Sequence, residues 1–444
     1  MNGAAFRVAV IGSGPSGAYA AQELSEQTDL DVSVDVYERL PVPFGLVRYG
    51  VAPDHQRIKS IVGLLADIFA HPRVRFLGNV QVGTDITVAE LRQHYDAVVV
   101  ACGASADRSL SIPGEDLPGV CSATDFVSWY SGHPDAAVDR FALTAEKAVV
   151  IGLGNVALDV ARMLCRTPEE LRRTDVPEHV VDVLANSSIR EIVILGRRGP
   201  AYAKFSNKEL GEFGELSEVR VQVDSGDLAD DEDALHRAQE NPLTRRMLAT
   251  LRGYADSGPQ GDRRTVRFAF SRTPVAFVGD DSVSGLEVVH QRPATTAVEE
   301  LIPAGFFVRS VGYRGLGVHG LPLDPRSGTI PHSEGRVVDG TEVLDGVYVT
   351  GWIKRGPSGV IGTNKQDAAL TAAAILEDRK RATRPPQKTV VDPMDLLKER
   401  RVELVEWPAW QRIDAAEEAE GRPVGRARVK LHERSRMLAA ASAD

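Results

Sequence analysis

Val8-Ala9-Val10-Ile11-Gly12-Ser13-Gly14-Pro15-Ser16-Gly17 decides the fold of this chain. Four apolar residues form a run suited to a buried parallel strand, and three glycines follow in the order G-x-G-x-x-G. Good helix formers then fill 18–26. A strand, a tight turn and a helix are the context in which such a triplet binds a dinucleotide. Gly12 permits the turn, Gly14 lets backbone approach a pyrophosphate, and Gly17 lets the helix pack close on the strand. The helix N-terminus adds free N–H groups and the positive end of a dipole. A second strand-like run, 32–37, ends at Glu38, where a carboxylate can accept hydrogen bonds from both hydroxyls of an adenosine ribose.

The plan recurs at Ala148-Val149-Val150-Ile151-Gly152-Leu153-Gly154-Asn155-Val156-Ala157, with alanine at the third glycine position, followed by the helix formers of 157–165. The strand-like run 191–195 ends here in Gly196-Arg197-Arg198-Gly199 instead of an acid. A carboxylate would repel a 2′-phosphate, whereas two guanidiniums can grip one with charge-assisted hydrogen bonds. The second cofactor is therefore expected to be NADPH and not NADH, the alternative being two solvated surface arginines. Two such units predict an α/β protein with two Rossmann-like dinucleotide-binding domains, one holding a flavin and one an exchangeable nicotinamide.

The 444 residues suffice for two or three domains. No apolar run approaches the roughly 18 residues of a membrane span. The first strand-like run starts at Phe6 and leaves no room for a cleavable signal peptide, so a cytoplasmic location is expected. Cys102, Cys121 and Cys165 form no C-x-x-C pair, which argues against a disulfide framework, a zinc site and a dithiol redox centre; they read as buried apolar residues. A net charge of −10 makes nucleic acid an improbable partner. Segment 227–234 is acidic and reads as a surface turn or helix start, whereas 236–272 carries eight arginines against three acids. Arg384-Pro385-Pro386 separates a polar extension, 387–444, whose Ala/Ser tail is expected to fray.

Longer motifs carry a family resemblance. They are Leu40-Pro41-Val42-Pro43-Phe44-Gly45-Leu46-Val47-Arg48-Tyr49-Gly50-Val51-Ala52-Pro53-Asp54-His55, Ala157-Leu158-Asp159-Val160-Ala161-Arg162, Gly196-Arg197-Arg198-Gly199-Pro200 and Gly351-Trp352-Ile353-Lys354-Arg355-Gly356-Pro357-Ser358-Gly359-Val360-Ile361-Gly362-Thr363-Asn364-Lys365. Together they resemble the adrenodoxin-reductase type of ferredoxin–NADP reductase, in its actinobacterial branch, over nearly the whole chain, including Trp410 and Gly425-Arg426-Ala427-Arg428-Val429-Lys430-Leu431.

The resemblance implies an NADPH domain, 107–314, inserted into a discontinuous FAD domain, 1–106 and 315–444. The apolar runs 98–103 and 307–312 would be the strands where the chain crosses. Beside Gly12, Gly14 and Gly17, the resemblance assigns Ser16, Glu38, Leu46 and Val82 to FAD, with Trp352, Gly359, Val360 and Ile361 near its ring. A helix starting at 359–363 and running to Arg381 would turn its positive end toward the flavin. For NADPH the resemblance implies Arg108, Asn155, Val156, Arg197, Arg198, Glu209 and Gly359, beside Gly152 and Gly154. Relatives often carry Gly-Asn-Gly-Asn where this chain has Gly152-Leu153-Gly154-Asn155, so Leu153 should cost a polar contact without changing the cofactor.

The expected activity is hydride transfer from NADPH to tightly bound FAD, then two one-electron transfers to a ferredoxin, with a cytochrome P450 as one downstream acceptor. His55 is a candidate proton relay and Glu209 a candidate for positioning nicotinamide; a structural loop histidine and a solvated helix acid are the alternatives. An acidic ferredoxin needs a basic face, for which Arg237, Arg245, Arg246, Arg252, Arg263 and Arg264 are candidates, with Arg57 and Lys59 near the flavin. The resemblance suggests a monomer. Two other functions remain open: an NADPH diaphorase or quinone reductase without a protein partner, and a non-enzymatic flavin redox sensor.

Overall fold

The structure, a computed structural model, describes residues 5–216, 218–228, 232–256, 264–292, 295–381 and 392–443. Arg263 and the Arg384-Pro385-Pro386 break lie outside these residues. The chain divides into two compact units, one of Met1–Ala106 with Tyr313–Asp444 and one of Asp107–Gly312.

Each unit is built on a parallel sheet because each has a fully buried apolar strand at its centre. In the first unit that strand is Phe6–Ile11, whose Val8, Ala9 and Val10 are wholly buried. It pairs in parallel with Val32–Glu38 on one side and Ala97–Val100 on the other. Val74–Gly78 extends the first side, and Glu342–Val349 the second, again in parallel. Arg336–Asp339 and His332–Ser333 finish the seven-stranded sheet as antiparallel strands.

Register brings the ends of four strands level, with Ile11 opposite Tyr37 and Val100, and Val349 opposite Val100. Gly12, Glu38 and Gly351 therefore leave the same edge of the sheet, where strand order reverses and α/β proteins bind ligands. Helices Pro15–Ser25 and Ile361–Arg381 pack on each other.

The second unit repeats the plan around Lys147–Ile151, flanked in parallel by Glu191–Leu195 and Phe306–Arg309. Arg264–Ala269, Val219–Val223 and Val120–Ser122 complete six parallel strands. Ile151, Leu195 and Ala269 are level, so the Gly152 turn, Gly196–Gly199 and the segment after Ala269 share one edge. A three-stranded antiparallel sheet, Arg272–Gly279, Val283–His290 and Val298–Pro303, packs over the parallel one through Phe277, Leu286 and Val288. This is the α/β architecture expected, with the second unit inserted into the first.

Three local expectations are corrected. The Ala/Ser tail does not fray: Arg434–Ser442 is a helix that buries Met437 and Ala441, one turn apart on one face. Asp227 is buried and not part of a surface turn, because arginines from distant segments converge on it. Cys102 is exposed, whereas Cys121 and Cys165 are buried.

Candidate functional site

In the first unit, the glycine turn is close-packed at two glycines and open at the third. Gly12 has φ +107°, and a Cβ there would stand 2.6 Å from the Ala101 carbonyl oxygen. A Cβ on Gly17 would stand 1.9 Å from Gly12 O, which is the close approach of helix to turn. Gly14 differs: its Cβ would meet nothing nearer than the Gly45 Cα at 4.0 Å. No side chain caps the helix that starts at Pro15, so its first N–H groups remain available to an anion. Those features fit a pyrophosphate passing Gly14.

Glu38 sits beside that turn. Its carboxylate accepts hydrogen bonds from Ser13 N (3.1 Å), Ser13 Oγ (2.7 Å) and Leu40 N (3.0 Å). The C-terminal end of the second strand is thereby tied to the glycine turn. Leu46 opens the short helix Leu46–Tyr49, and Val82 is half-buried in a bridge to Ile86.

At the sheet's edge, Thr350-Gly351-Trp352 is held by Asp367 of the long helix. The Asp367 carboxylate accepts from Gly351 N (2.6 Å), Lys354 Nζ (2.7 Å) and Arg355 (2.9 Å). Burial would raise the pKa of that carboxyl, but hydrogen bonds from Lys354 and Gly351 and the charges of Lys354 and Arg355 outweigh it and hold it below its usual range. Asn364, one turn earlier, accepts from Ser16 Oγ at 3.0 Å and from Arg355 at 2.7 Å. The Trp352 ring lies 5.7 Å from that of Tyr313, while Gly359 and Val360 are exposed just before Ile361 opens the helix.

The C-terminal extension reaches the same turn from behind. Glu417, fully buried on helix Trp407–Gly421, pairs with buried Arg48 and accepts from Leu431 N at 3.0 Å. Lys430 Nζ donates to Arg48 O at 2.9 Å, and the Arg48 guanidinium lies 5.2 Å from the Trp410 ring. Phe44 packs on Trp410 with ring centres 5.7 Å apart. Segment 44–49, which carries Gly45 against Gly14, is thus clamped by the extension. His55 lies in this unit, 9% exposed, at the start of Gln56–Lys59, where its carbonyl accepts from Ile58 N at 3.0 Å.

In the second unit, a Cβ on Gly152 would stand 2.1 Å from Ser310 O, whereas one on Gly154 meets nothing within 4 Å. Helix Asn155–Cys165 also starts without a side-chain cap. The same division holds between packed and open glycines, and a pyrophosphate fits here too. Asn155 Oδ1 accepts from Ser206 N at 2.7 Å, and Val156 is half-buried in the first turn. Leu153 has an apolar use: its side chain covers Gly196, where a Cβ would stand 2.2 Å from Leu153 Cδ1.

Arg197 and Arg198 project from the loop after Glu191–Leu195, both exposed. The loop's backbone is fixed by Arg272 N to Gly196 O (3.0 Å) and Ser271 N to Arg198 O (3.2 Å). Asp227 anchors that support, accepting from Phe270 N (3.1 Å), Arg272 (2.6 Å) and Arg292 (2.9 Å), with His290 at 3.2 Å. Sequence reasoning missed Asp227 and Arg272.

Glu209 is buried, not a solvated acid; it lies 3.3 Å from the buried Arg162, which also pairs with Asp159 and Glu212. Arg108 is exposed, its N–H bonded to Gly312 O. Arg245, Arg246 and Arg252 lie exposed on helix Pro242–Asp256, and Arg237 on Glu232–Glu240.

A family model described as pyridine nucleotide-disulphide oxidoreductase matches residues 6–193. The chain is 43% identical over 455 residues to NADPH-ferredoxin reductase FprA of Mycobacterium tuberculosis, covering 98% of each. Human mitochondrial NADPH:adrenodoxin oxidoreductase is 39% identical over 456 residues, covering 97% of this chain and 91% of that one. A solved structure of the M. tuberculosis FprA in complex with NADPH matches with a TM-score of 0.91 at 42% identity, over 99% of this chain and 100% of that one.

Proposed function

From the premise that this chain belongs to the NADPH-ferredoxin reductase family, which includes the adrenodoxin reductases, we propose how its residues divide the work of an NADPH:ferredoxin oxidoreductase. Its cofactors are FAD and NADPH, and its electrons pass to an iron–sulfur protein. Bound together, the two cofactors turn a hydride into two single-electron transfers.

In this reading the first unit holds FAD and the second NADPH. Gly12, Gly14 and Gly17 shape the FAD turn, Ser16 and Glu38 face it, and Leu46, Val82, Trp352, Gly359, Val360 and Ile361 surround the remainder. Gly152, Gly154, Asn155 and Val156 shape the NADPH turn, with Arg108 beside it. One contrast carries the assignment: equivalent strands end in Glu38 in one unit and in the exposed Arg197 and Arg198 in the other. A carboxylate suits a free ribose, and guanidiniums suit a 2′-phosphate. Glu209, fixed by the buried Arg162, positions the nicotinamide, and His55 relays a proton. Unchanged flavin reduction in His55→Gln and Glu209→Gln variants would remove both from the mechanism.

The partner is an acidic ferredoxin, which docks on Arg245, Arg246 and Arg252 of a monomeric, cytoplasmic enzyme. Among the described residues, no helix is long and apolar enough to cross a membrane. Complementary charge mainly raises the on-rate, so turnover should fall steeply with salt. Reduction of a purified ferredoxin by NADPH, followed at the cluster's absorption, tests the reading. Turnover well above that with a quinone supports it; equal turnover, flat in salt, favours the diaphorase.

A further inference from the structure

Tyr202 ends the short turn Pro200–Tyr202 that follows Gly199, its N–H bonded to Gly199 O at 3.1 Å. Two guanidinium carbons lie against its ring, that of Arg198 at 4.9 Å from the ring centre and that of Arg237 at 4.3 Å. Helix Glu232–Glu240 packs on this turn and so delivers Arg237 to the loop that carries Arg197 and Arg198.

Elsewhere in this unit, converging arginines are met by carboxylates. Asp227 takes Arg272 and Arg292, and Asp159, Glu209 and Glu212 take Arg162. Arg197, Arg198 and Arg237 are exposed, and none is paired with a carboxylate among the described residues. Two cations held against one aromatic face gain from the ring but repel each other. An anion between them removes that repulsion. A phosphate monoester carries about −1.5 to −2 charge at neutral pH, enough to engage more than one guanidinium.

We propose that Arg237, held through Tyr202, is a third arginine of the 2′-phosphate site and a determinant of the choice of NADPH over NADH. It therefore does not belong to the ferredoxin face on which its sequence neighbours placed it. The inference rests on reading the second unit as the NADPH site.

The experiment measures calorimetric affinity of the FAD-loaded enzyme for adenosine 2′,5′-bisphosphate and for 5′-AMP, in wild type, Arg237→Gln, Arg237→Lys and Arg198→Gln. Removing one charged hydrogen-bonding group should weaken the bisphosphate about tenfold in Arg237→Gln, with partial recovery in Arg237→Lys and no change for 5′-AMP. KM for ferredoxin should be unchanged. Unaltered bisphosphate affinity in Arg237→Gln, or an equal loss for 5′-AMP, overturns the proposal; a raised KM for ferredoxin alone returns Arg237 to the docking face. Arg198→Gln separates the two levels. If it weakens the bisphosphate while Arg237→Gln does not, only the third arginine is wrong; if neither does, the reading of the second unit fails.

Discussion

Ser16 Oγ donates a hydrogen bond to Asn364 Oδ1 across 3.0 Å, although the two residues stand 348 positions apart. The bond joins the helix that follows the first glycine turn to the helix that ends this unit's main body. Gly351 lies against it: a Cβ there would stand 2.1 Å from Ser16 Oγ, at a φ of +78° that side chains rarely adopt. Gly351→Ala should therefore yield protein poor in flavin and lower in Tm. Asn364→Ala should cost only the order of one hydrogen bond, about 1 kcal/mol, plus any penalty for the buried hydroxyl left behind. Flavin content and thermal unfolding check both, and a fully loaded Gly351→Ala protein of unchanged Tm would contradict the packing described.

The glycine turns separate folding from binding. Gly17→Ala drives a Cβ into Gly12 O and should prevent folding of the first unit. Gly154→Ala has open space around it and should fold with its FAD, yet lose NADPH affinity by about tenfold, equivalent to 1.4 kcal/mol. Flavin spectra and NADPH titration distinguish these outcomes.

Asp367 gives a pH dependence whose sign follows from its depressed pKa. In the unfolded chain its pKa is near the ordinary aspartate value of about 3.9, and in the folded protein it is lower. Its stabilisation is thus fully present above about pH 4 and is lost as pH falls through the folded value. Denaturant midpoints of wild type and Asp367→Asn should differ at neutral pH and converge in acid. A gap that widens on acidification would contradict the ion-pair account.

Glu417→Ala would leave Arg48 buried without its carboxylate, a loss of about 3–5 kcal/mol. Because Arg48 belongs to the segment that sets Gly45 against Gly14, FAD should be released at lower denaturant than wild type requires. Flavin fluorescence during urea unfolding reports this, and coincident release in both proteins would confine the extension to a passive cover.

The two glycine turns and their strands were legible because the chemistry is local: an apolar run, a glycine spacing and the residue after the next strand lie within about 30 positions in the first unit and about 50 in the second. Asp227 was not legible. It stands among other acids, and only the fold brings Arg272, Arg292 and His290 from 45, 65 and 63 positions away. Asp367 and Asn364 were hidden in the same way, as polar residues of a long helix whose partners come from elsewhere. The tail misled because Ala/Ser composition says nothing of the surface that receives Met437. Arg237 was grouped with its sequence neighbours, whereas Tyr202 is what places it.

Anaerobic stopped-flow reduction of the flavin by NADPH and by NADH, in wild type and in an Arg197→Gln/Arg198→Gln variant, tests the account most directly. Fast bleaching of wild type by NADPH and slow bleaching by NADH, with the preference lost in the variant, is the predicted result. A wild-type protein that bleaches equally with both nucleotides, or a variant that keeps the full preference, would contradict it.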